Sequence, residues 1–600
     1  MRYLALFLAA ASLPAAVEKI YLTERGDHGE RYERIAAKAY FVIDPKAEAN
    51  KIIRDIEFAP VDENGLVRFT ADLVVLKPRD PATGNGTILF EVSNRGGKGL
   101  TGMFGEPFLM EQGYTLVWVG WQWDVPVSPD LLRVYPPIAK GIEALIRSEF
   151  IPHAKTTTMS LGDRTMQAYP ASGAVTLTIR DTRDGKRQQL RDGWLLNDAK
   201  TSIQMPTGFQ PYQIYEATYT TKDPVVAGTG LAAIRDVISF LRYENKGTVL
   251  LGDHFRHMKR AIAFGTSQSG RFLRQYLYDG FNTDEKGRKV FDGVWANVAG
   301  AGRGSFNIRG AQPSRDGHPT FNFFYPSDLF PYTDLPQTDP ETNLSGGLLA
   351  NVKDVPKIFY TNGSYEYWGR NAALIHITPD GKQDAELAPN TRIYYVAGSQ
   401  HGPGRLPPPK AGTVNFANMN DYRPLYRAFL SAMFAWVKDN TAPPESRYPR
   451  IDRKELVPFE SIRDAGSPKQ PMRAWRADYK TEPPTLGKLF PLFVPAIGPD
   501  GNELGGIRLP ELSAPLALYR GWNYRADPNA PKNYINDMVG STFPLPKEKV
   551  EKLYSSKADY VAKVRAHAQE MIQSRLLLER DLESVVARAG QAWDWLLSSK

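Results

Sequence analysis

Between Val17 and about Leu89, apolar and polar residues alternate in short runs, as in Ala39-Tyr-Phe-Val-Ile43 and Leu66-Val-Arg-Phe-Thr-Ala-Asp-Leu-Val-Val-Leu76. Asp-Pro and Glu-Asn-Gly turn signals separate them, and a period of two predicts antiparallel strands. The pattern then changes. Thr87-Ile-Leu-Phe-Glu-Val92 and Tyr114-Thr-Leu-Val-Trp-Val-Gly-Trp121 are nearly continuous apolar runs, as expected of central strands covered on both faces. Helical spacing follows at Leu231, Ile234, Val237, Ile238 and Leu241, with Thr229 available as the N-cap. Next come a short strand, Arg260-Ala-Ile-Ala-Phe264, a Gly/Ser-rich turn and a helix from near Arg271. Three more apolar segments, Gly293 to Val298, Lys357 to Tyr360 and Arg392 to Val396, precede an amphipathic helix near Tyr422 to Val437. This alternation predicts an α/β fold whose mostly parallel sheet carries helices on both faces.

The pattern also divides the chain. Residues 17–86 form an N-terminal β-rich segment, and 87–443 hold the α/β core. Two insertions interrupt that core: a β-rich cap at about 125–223, with proline-rich loops and the alternating run Ala174 to Ile179, and a lid-like stretch at about 301–352, rich in Pro, Gly and aromatics. Residues 444–546 are loop-rich and expected to pack on the core. From Lys547 the composition is helical, with Met571, Leu576, Leu577, Leu578, Leu582 and Val585 at helix-compatible spacing, so 547–600 is expected to be a helical extension.

Composition removes several function classes. The chain has 600 residues, 42% hydrophobic and 23% charged, which fits a large globular fold rather than a disordered or coiled-coil chain. It contains no cysteine, so disulfides, Cys-ligated metals and a Cys nucleophile are excluded. The net charge of +8 arises from 74 basic and 66 acidic residues without a long single-sign run; no nucleic-acid partner is expected. At the N-terminus, Arg2, the apolar stretch Leu4 to Leu13 and Pro14-Ala-Ala16 resemble a short signal peptide over residues 1–16. Nothing later approaches the apolar length of a membrane span, so a periplasmic or secreted protein is expected.

The sharpest chemical motif is Phe264-Gly-Thr-Ser-Gln-Ser-Gly-Arg271, lying between a predicted strand and a predicted helix. A nucleophile elbow holds serine on a strained turn, which demands small residues two places before and after it. Gly265 and Ser269 meet that demand around Ser267, whereas Ser269 as nucleophile would place Arg271 at a small-residue position. A serine also needs a base and a group that orients the base. His401, in Ala397-Gly-Ser-Gln-His-Gly402, follows the strand ending at Val396. Glu366 is the sole carboxylate in Thr361-Asn-Gly-Ser-Tyr-Glu-Tyr-Trp-Gly-Arg370, and we select it over Asp354 and Asp380. The order Ser267, Glu366, His401 is the one an elbow enzyme of this architecture uses. For the oxyanion, the donors expected are the backbone N–H of Gln268 and one from Arg95 or Gly96, in the loop Ser93-Asn-Arg-Gly-Gly-Lys98. Phe323, Tyr325, Tyr332 and Trp368 are candidates to line a substrate cleft. His254 and His257 lack a carboxylate at metal-ligand spacing, so no metal is expected. No phosphate-cradling glycine motif is present, and no cofactor is expected.

Together the elbow, the Asn-Arg-Gly-Gly-Lys loop, the segments around Glu366 and His401, and Asp500-Gly-Asn-Glu-Leu-Gly-Gly-Ile-Arg-Leu-Pro510 resemble a family of large bacterial secreted alpha/beta hydrolase domain-containing proteins. The resemblance runs from about Val17 to the Trp522 region. It implies an α/β-hydrolase fold and Ser-Glu-His chemistry. The function expected is hydrolysis of a carboxylic ester, small or polymer-linked, through an acyl-enzyme. A peptidase or acyltransferase of the same fold is the enzymatic alternative, and an exported glycan- or polymer-binding protein on a hydrolase-like scaffold is the non-catalytic one.

Overall fold

The computed structural model describes residues 16–183, 185–244, 250, 252, 258–315, 328–410, 412–462, 471–478, 481, 485–532, 534–536 and 538–598. Residues 1–15, within the expected signal peptide, and His254, His257, Phe323 and Tyr325 lie outside them.

Nine strands make the path of the central sheet: β1 (Val17–His28), β2 (Tyr32–Ile43), β3 (Val67–Pro78), β4 (Thr87–Val92), β5 (Thr115–Val119), β6 (Arg260–Thr266), β7 (Gly293–Asn297), β8 (Lys357–Gly363) and β9 (Thr391–Val396). Their order is β1-β2-β3-β5-β4-β6-β7-β8-β9, and the two-residue strand Val134–Tyr135 pairs with β3 off this path. β1, β2 and β3 are antiparallel, as the alternation predicts, and β3 joins β5 antiparallel. They extend the same sheet rather than forming one of their own. From β5 to β9 every pairing is parallel, so the carboxyl ends of six strands share one edge. Residue patterns explain the order: β4, β5 and β7 are buried at every position, whereas β1 sits at the rim with Glu18, Lys19, Glu24, Arg25 and Asp27 along it. Charges there discourage further strand addition. At the opposite rim, Arg447 and Ile507 from the 444–546 segment make parallel bridges to Tyr394 and Val396 of β9 and cover its free edge.

Among the helices of the described residues that pack in or on this core are α1 (Thr229–Tyr243), α2 (Gln268–Tyr278), α3 (Ser364–Gly369) and α4 (Arg423–Asp439). Gly228, not Thr229, takes the cap position of α1. Thr229 falls one place inside, and its hydroxyl donates to the Val226 carbonyl at 2.7 Å. Within the first insertion two antiparallel sheets form, one of four strands and one of three. The four-stranded sheet buries Arg147 and Arg180 against Glu149 and Glu216 at 2.6–2.7 Å. In the second insertion the described residues are mostly irregular, and arginines fasten them. Arg315 donates to the carbonyls of Glu149 and Leu161 in the first insertion, and Arg274 of α2 donates to those of Gly302 and Tyr332. The C-terminal helices α5 (Lys557–Gln573) and α6 (Leu582–Ser598) pack on one another and on the core. Arg427 of α4 holds Asp581 with both its Nε and its Nη2.

Candidate active site

Ser267, Glu366, His401 and the glycine loop after β4 all follow the carboxyl ends of parallel strands, the edge where ligands of open α/β sheets bind. Ser267 stands between β6 and α2 with φ 62° and ψ −117°. A non-glycine residue avoids that backbone region, and holding one there stores about 1–3 kcal/mol of strain. Two glycines make the turn possible. A Cβ at Gly265 would lie 2.3 Å from the Ser269 carbonyl oxygen, and one at Gly270 would lie 2.7 Å from that of Asn297. The second close approach falls one residue later than the five-residue motif suggests. Ser269 instead sits inside α2, fully buried, with its hydroxyl unbonded among the described residues.

His401 follows β9, and its Nδ1 lies 2.5 Å from Oε1 of Glu366 on α3. Glu366 is fully buried, and its other oxygen accepts the Gly363 N–H at 2.8 Å. That pairing favours the tautomer with hydrogen on Nδ1 and leaves Nε2 as the acceptor. Neither His401 Nε2 nor the Ser267 hydroxyl has a hydrogen-bond partner among the described residues. The histidine loop is itself fixed. Tyr422 Oη donates to the His401 carbonyl at 2.8 Å, Asn418 Nδ2 donates to the Gly398 carbonyl at 2.6 Å, and the Tyr365 ring meets the imidazole edge-on at 5.4 Å.

The glycine loop after β4 lies beside the elbow, because Asn94 Nδ2 donates to the Thr266 carbonyl at 3.1 Å. Arg95 and Gly96 both have positive φ, 50° and 79°. Of the two expected donors, the Arg95 N–H is engaged by Gln122 Oε1 at 2.6 Å, so Arg95 is corrected out of the oxyanion role. Gly96 N–H and Gln268 N–H have no partner among the described residues. Gly96 tolerates no side chain, since a Cβ would meet the Leu132 carbonyl and Val125 at 2.9 Å. The Arg95 side chain instead ties the loop to both insertions, donating to the Ser314 carbonyl at 2.5 Å and lying 3.6 Å from Asp163. Asp124 accepts the Ser314 N–H at 2.9 Å, and burial pushes its carboxyl up to about 6.

The two described candidates for the cleft lining are both buried. Trp368 packs with Val494 and Trp522, and its Nε1 lies 3.3 Å from Glu503. Tyr332 is likewise buried, its ring edge-on to Phe490 at 5.1 Å. Both are large aromatics near the site, and spacing alone does not separate a packing role from a lining one.

Three residues that shape the site escape the motif search. Glu91, the one charge in the apolar run of β4, accepts the N–H groups of Gly99 and Leu100 and the Trp118 indole, bending the glycine loop back on the strand. A carboxylate amid five uncharged strand residues is the signal that marks it. Gln122 and Glu503 carry no comparable mark, although Glu503 lies in the late Asp500 to Pro510 motif. Among the described residues no group of three or more His, Asp or Glu is disposed to hold a metal, and no helix is long and apolar enough to cross a membrane.

A family model described as an alpha/beta hydrolase domain matches residues 49–587, and the chain belongs to that family. The match includes α5 and part of α6, so these helices, which lie beyond the motifs recognisable in the sequence, are part of the family's domain. No curated protein and no solved structure matches the chain.

Proposed function

We propose that the protein is a serine hydrolase of carboxylic esters, with Ser267 as nucleophile, His401 as base and Glu366 as the group that orients it. The observation that carries the reading is the strained Ser267 turn on the same sheet edge as the buried Glu366–His401 pair. His401 Nε2 takes the hydroxyl proton while Ser267 Oγ attacks the ester carbonyl carbon. Negative charge develops on the carbonyl oxygen, and the N–H groups of Gln268 and Gly96 receive it; Gln268 begins α2, so the helix N-terminus adds its dipole. Collapse expels the alcohol, which leaves with the proton held by His401. Water, deprotonated by the same imidazole, then cleaves the acyl-enzyme to the free acid. Glu366 keeps its charge throughout and stabilises the transient imidazolium.

The test is labelling of the purified protein with a fluorophosphonate and mass mapping of the adduct. Labelling at Ser267 that disappears in His401→Ala is the expected result; a folded protein that takes no label at Ser267 would contradict the reading. Ser267→Ala should lower turnover of an aryl ester by about 10⁴-fold or more. The charged and apolar pattern of residues 1–16 supports an exported enzyme, and mass analysis of exported material should then find Val17, the first residue of β1, at its N-terminus.

A further inference from the structure

We propose that Glu503 is the positioning residue that sets the Glu366–His401 pair, an inference that rests on the serine hydrolase reading above. Glu503 is fully buried on the segment that covers the edge of β9, and four donors converge on its carboxylate. Oε1 accepts the Ser364 hydroxyl at 2.7 Å and the Trp368 indole N–H at 3.3 Å. Oε2 accepts the Gly398 N–H at 3.0 Å and the Tyr395 hydroxyl. Ser364 and Trp368 lie on α3, two residues either side of Glu366. Tyr395 and Gly398 lie on the end of β9 and the turn that leads to His401. One carboxylate therefore joins the acid's helix to the base's loop, with one oxygen on each.

A merely space-filling role does not account for this arrangement. Burying a carboxylate is costly, and among the described residues no Lys or Arg forms an ion pair with Glu503. Four donors with no donor of its own to place is a demand that an ionised carboxylate meets and that glutamine, with two N–H groups, does not. The backbone around it is pressed just as closely. A Cβ at Gly506 would lie 2.4 Å from the Tyr395 ring, and Ile507 N–H donates to the Tyr395 carbonyl at 2.7 Å. The two elements also touch directly: β8 and β9 pair up to Gly363 and Val396, the Tyr367 ring meets that of Tyr395 at 5.0 Å, the Tyr365 ring meets His401 at 5.4 Å, and the Tyr365 N–H reaches the Ser399 carbonyl at 3.4 Å. Ring contacts fix orientation less sharply than hydrogen bonds do, so without Glu503 the helix and the loop lose a shared polar anchor and the Glu366–His401 geometry is free to change. Displacements of about 1 Å at a reacting centre cost about a hundred-fold in rate.

The experiment compares the full-length wild type with Glu503→Gln, Ser364→Ala and Tyr395→Phe. It measures the rate and end-point of fluorophosphonate labelling at Ser267, and the kcat, KM and pH profile for p-nitrophenyl acetate. In Glu503→Gln we expect labelling to reach the wild-type end-point, but about ten- to a hundred-fold more slowly. kcat should fall in parallel at nearly constant KM, and the acid limb of the pH profile, which reports His401, should move. The two single-donor variants should show smaller changes of the same kind. A purely structural role would lower the end-point, the folded fraction, and leave the rate and pH profile of the remainder unchanged; that result overturns the proposal. Should Glu503→Gln not fold, wild-type rates and pH profiles in both Ser364→Ala and Tyr395→Phe overturn it equally. A wild type that takes no label refutes the hydrolase reading itself, whereas normal wild-type labelling with unaffected variants refutes Glu503 alone.

Discussion

Ser267 carries a backbone conformation that only glycine adopts without strain, and this makes a sharp prediction at the scale of one residue. Ser267→Gly and Ser267→Ala should both lack ester turnover, but the glycine variant should be more stable than the alanine one by about 1–3 kcal/mol, read from urea midpoints. Equal midpoints would mean that the turn is not strained. Gly265→Ala should act in the opposite sense, because its methyl would meet the Ser269 carbonyl oxygen at 2.3 Å; loss of labelling together with a lower midpoint is expected. His376 gives a pH dependence. It is buried, its Nε2 lies 2.9 Å from the Tyr367 hydroxyl, and burial pushes its imidazole down to about 3. The unfolded chain takes up a proton below about 6.5, and the folded one does so only near 3. Its contribution to stability is therefore full above pH 6.5 and is lost as the pH falls toward 3. His376→Gln should flatten the dependence of the urea midpoint on pH between 6.5 and 4.

Elements are held by devices that differ between the core and its insertions. The core strands read as apolar runs because both faces are covered, and β4 departs from that pattern only at Glu91, where it shapes the glycine loop. The four-stranded cap sheet instead buries an ion network. Burial opposes the charge on Glu216, but the guanidinium of Arg147 and the hydrogen bonds from Arg187, Arg147 and Arg180 outweigh it and hold the carboxyl at about 2. The folded value lies below the unfolded one, so this contribution is present above about pH 4.5 and is lost as the pH falls through 2. Glu216→Ala would leave two buried arginines short of a partner, a defect worth about 3–5 kcal/mol. Proteolysis within 143–222 should accelerate before the core unfolds; cleavage at the wild-type rate would show that the network does not hold the cap. The glycine loop was legible as a loop, yet which of its N–H groups stays available was not. That depends on Gln122, 27 residues away in sequence.

At the scale of the whole molecule, the late segments close the fold rather than trail from it. Strands Ala517–Arg520 and Ser541–Pro544 pair with one another, and Phe416–Ala417, from the segment before α4, joins them. Asp581, just before α6, clasps Arg427, and Arg588 of α6 donates to the Met419 carbonyl at 2.6 Å. Ending the chain at residue 546 should therefore lower the thermal midpoint and yield aggregation-prone protein; an unchanged midpoint would mean that α5 and α6 add nothing to the core. The hydrophobic pattern alone determined the α/β class and the six parallel strands, because periodicity and turn chemistry are local properties of the chain. Local spacing also placed Glu366 after the strand Lys357 to Tyr360 and His401 after the strand ending at Val396; that these two strands are neighbours came from the fold. The tertiary structure decided what depends on partners distant in sequence. It put β1 to β3 into the same sheet as the core, buried Tyr332 and Trp368, engaged the Arg95 N–H with Gln122, and brought Glu503 behind Glu366 and His401. A side chain's function in each of those cases is set by which donor or ring folding carries to it, and no window of sequence contains both members of the contact.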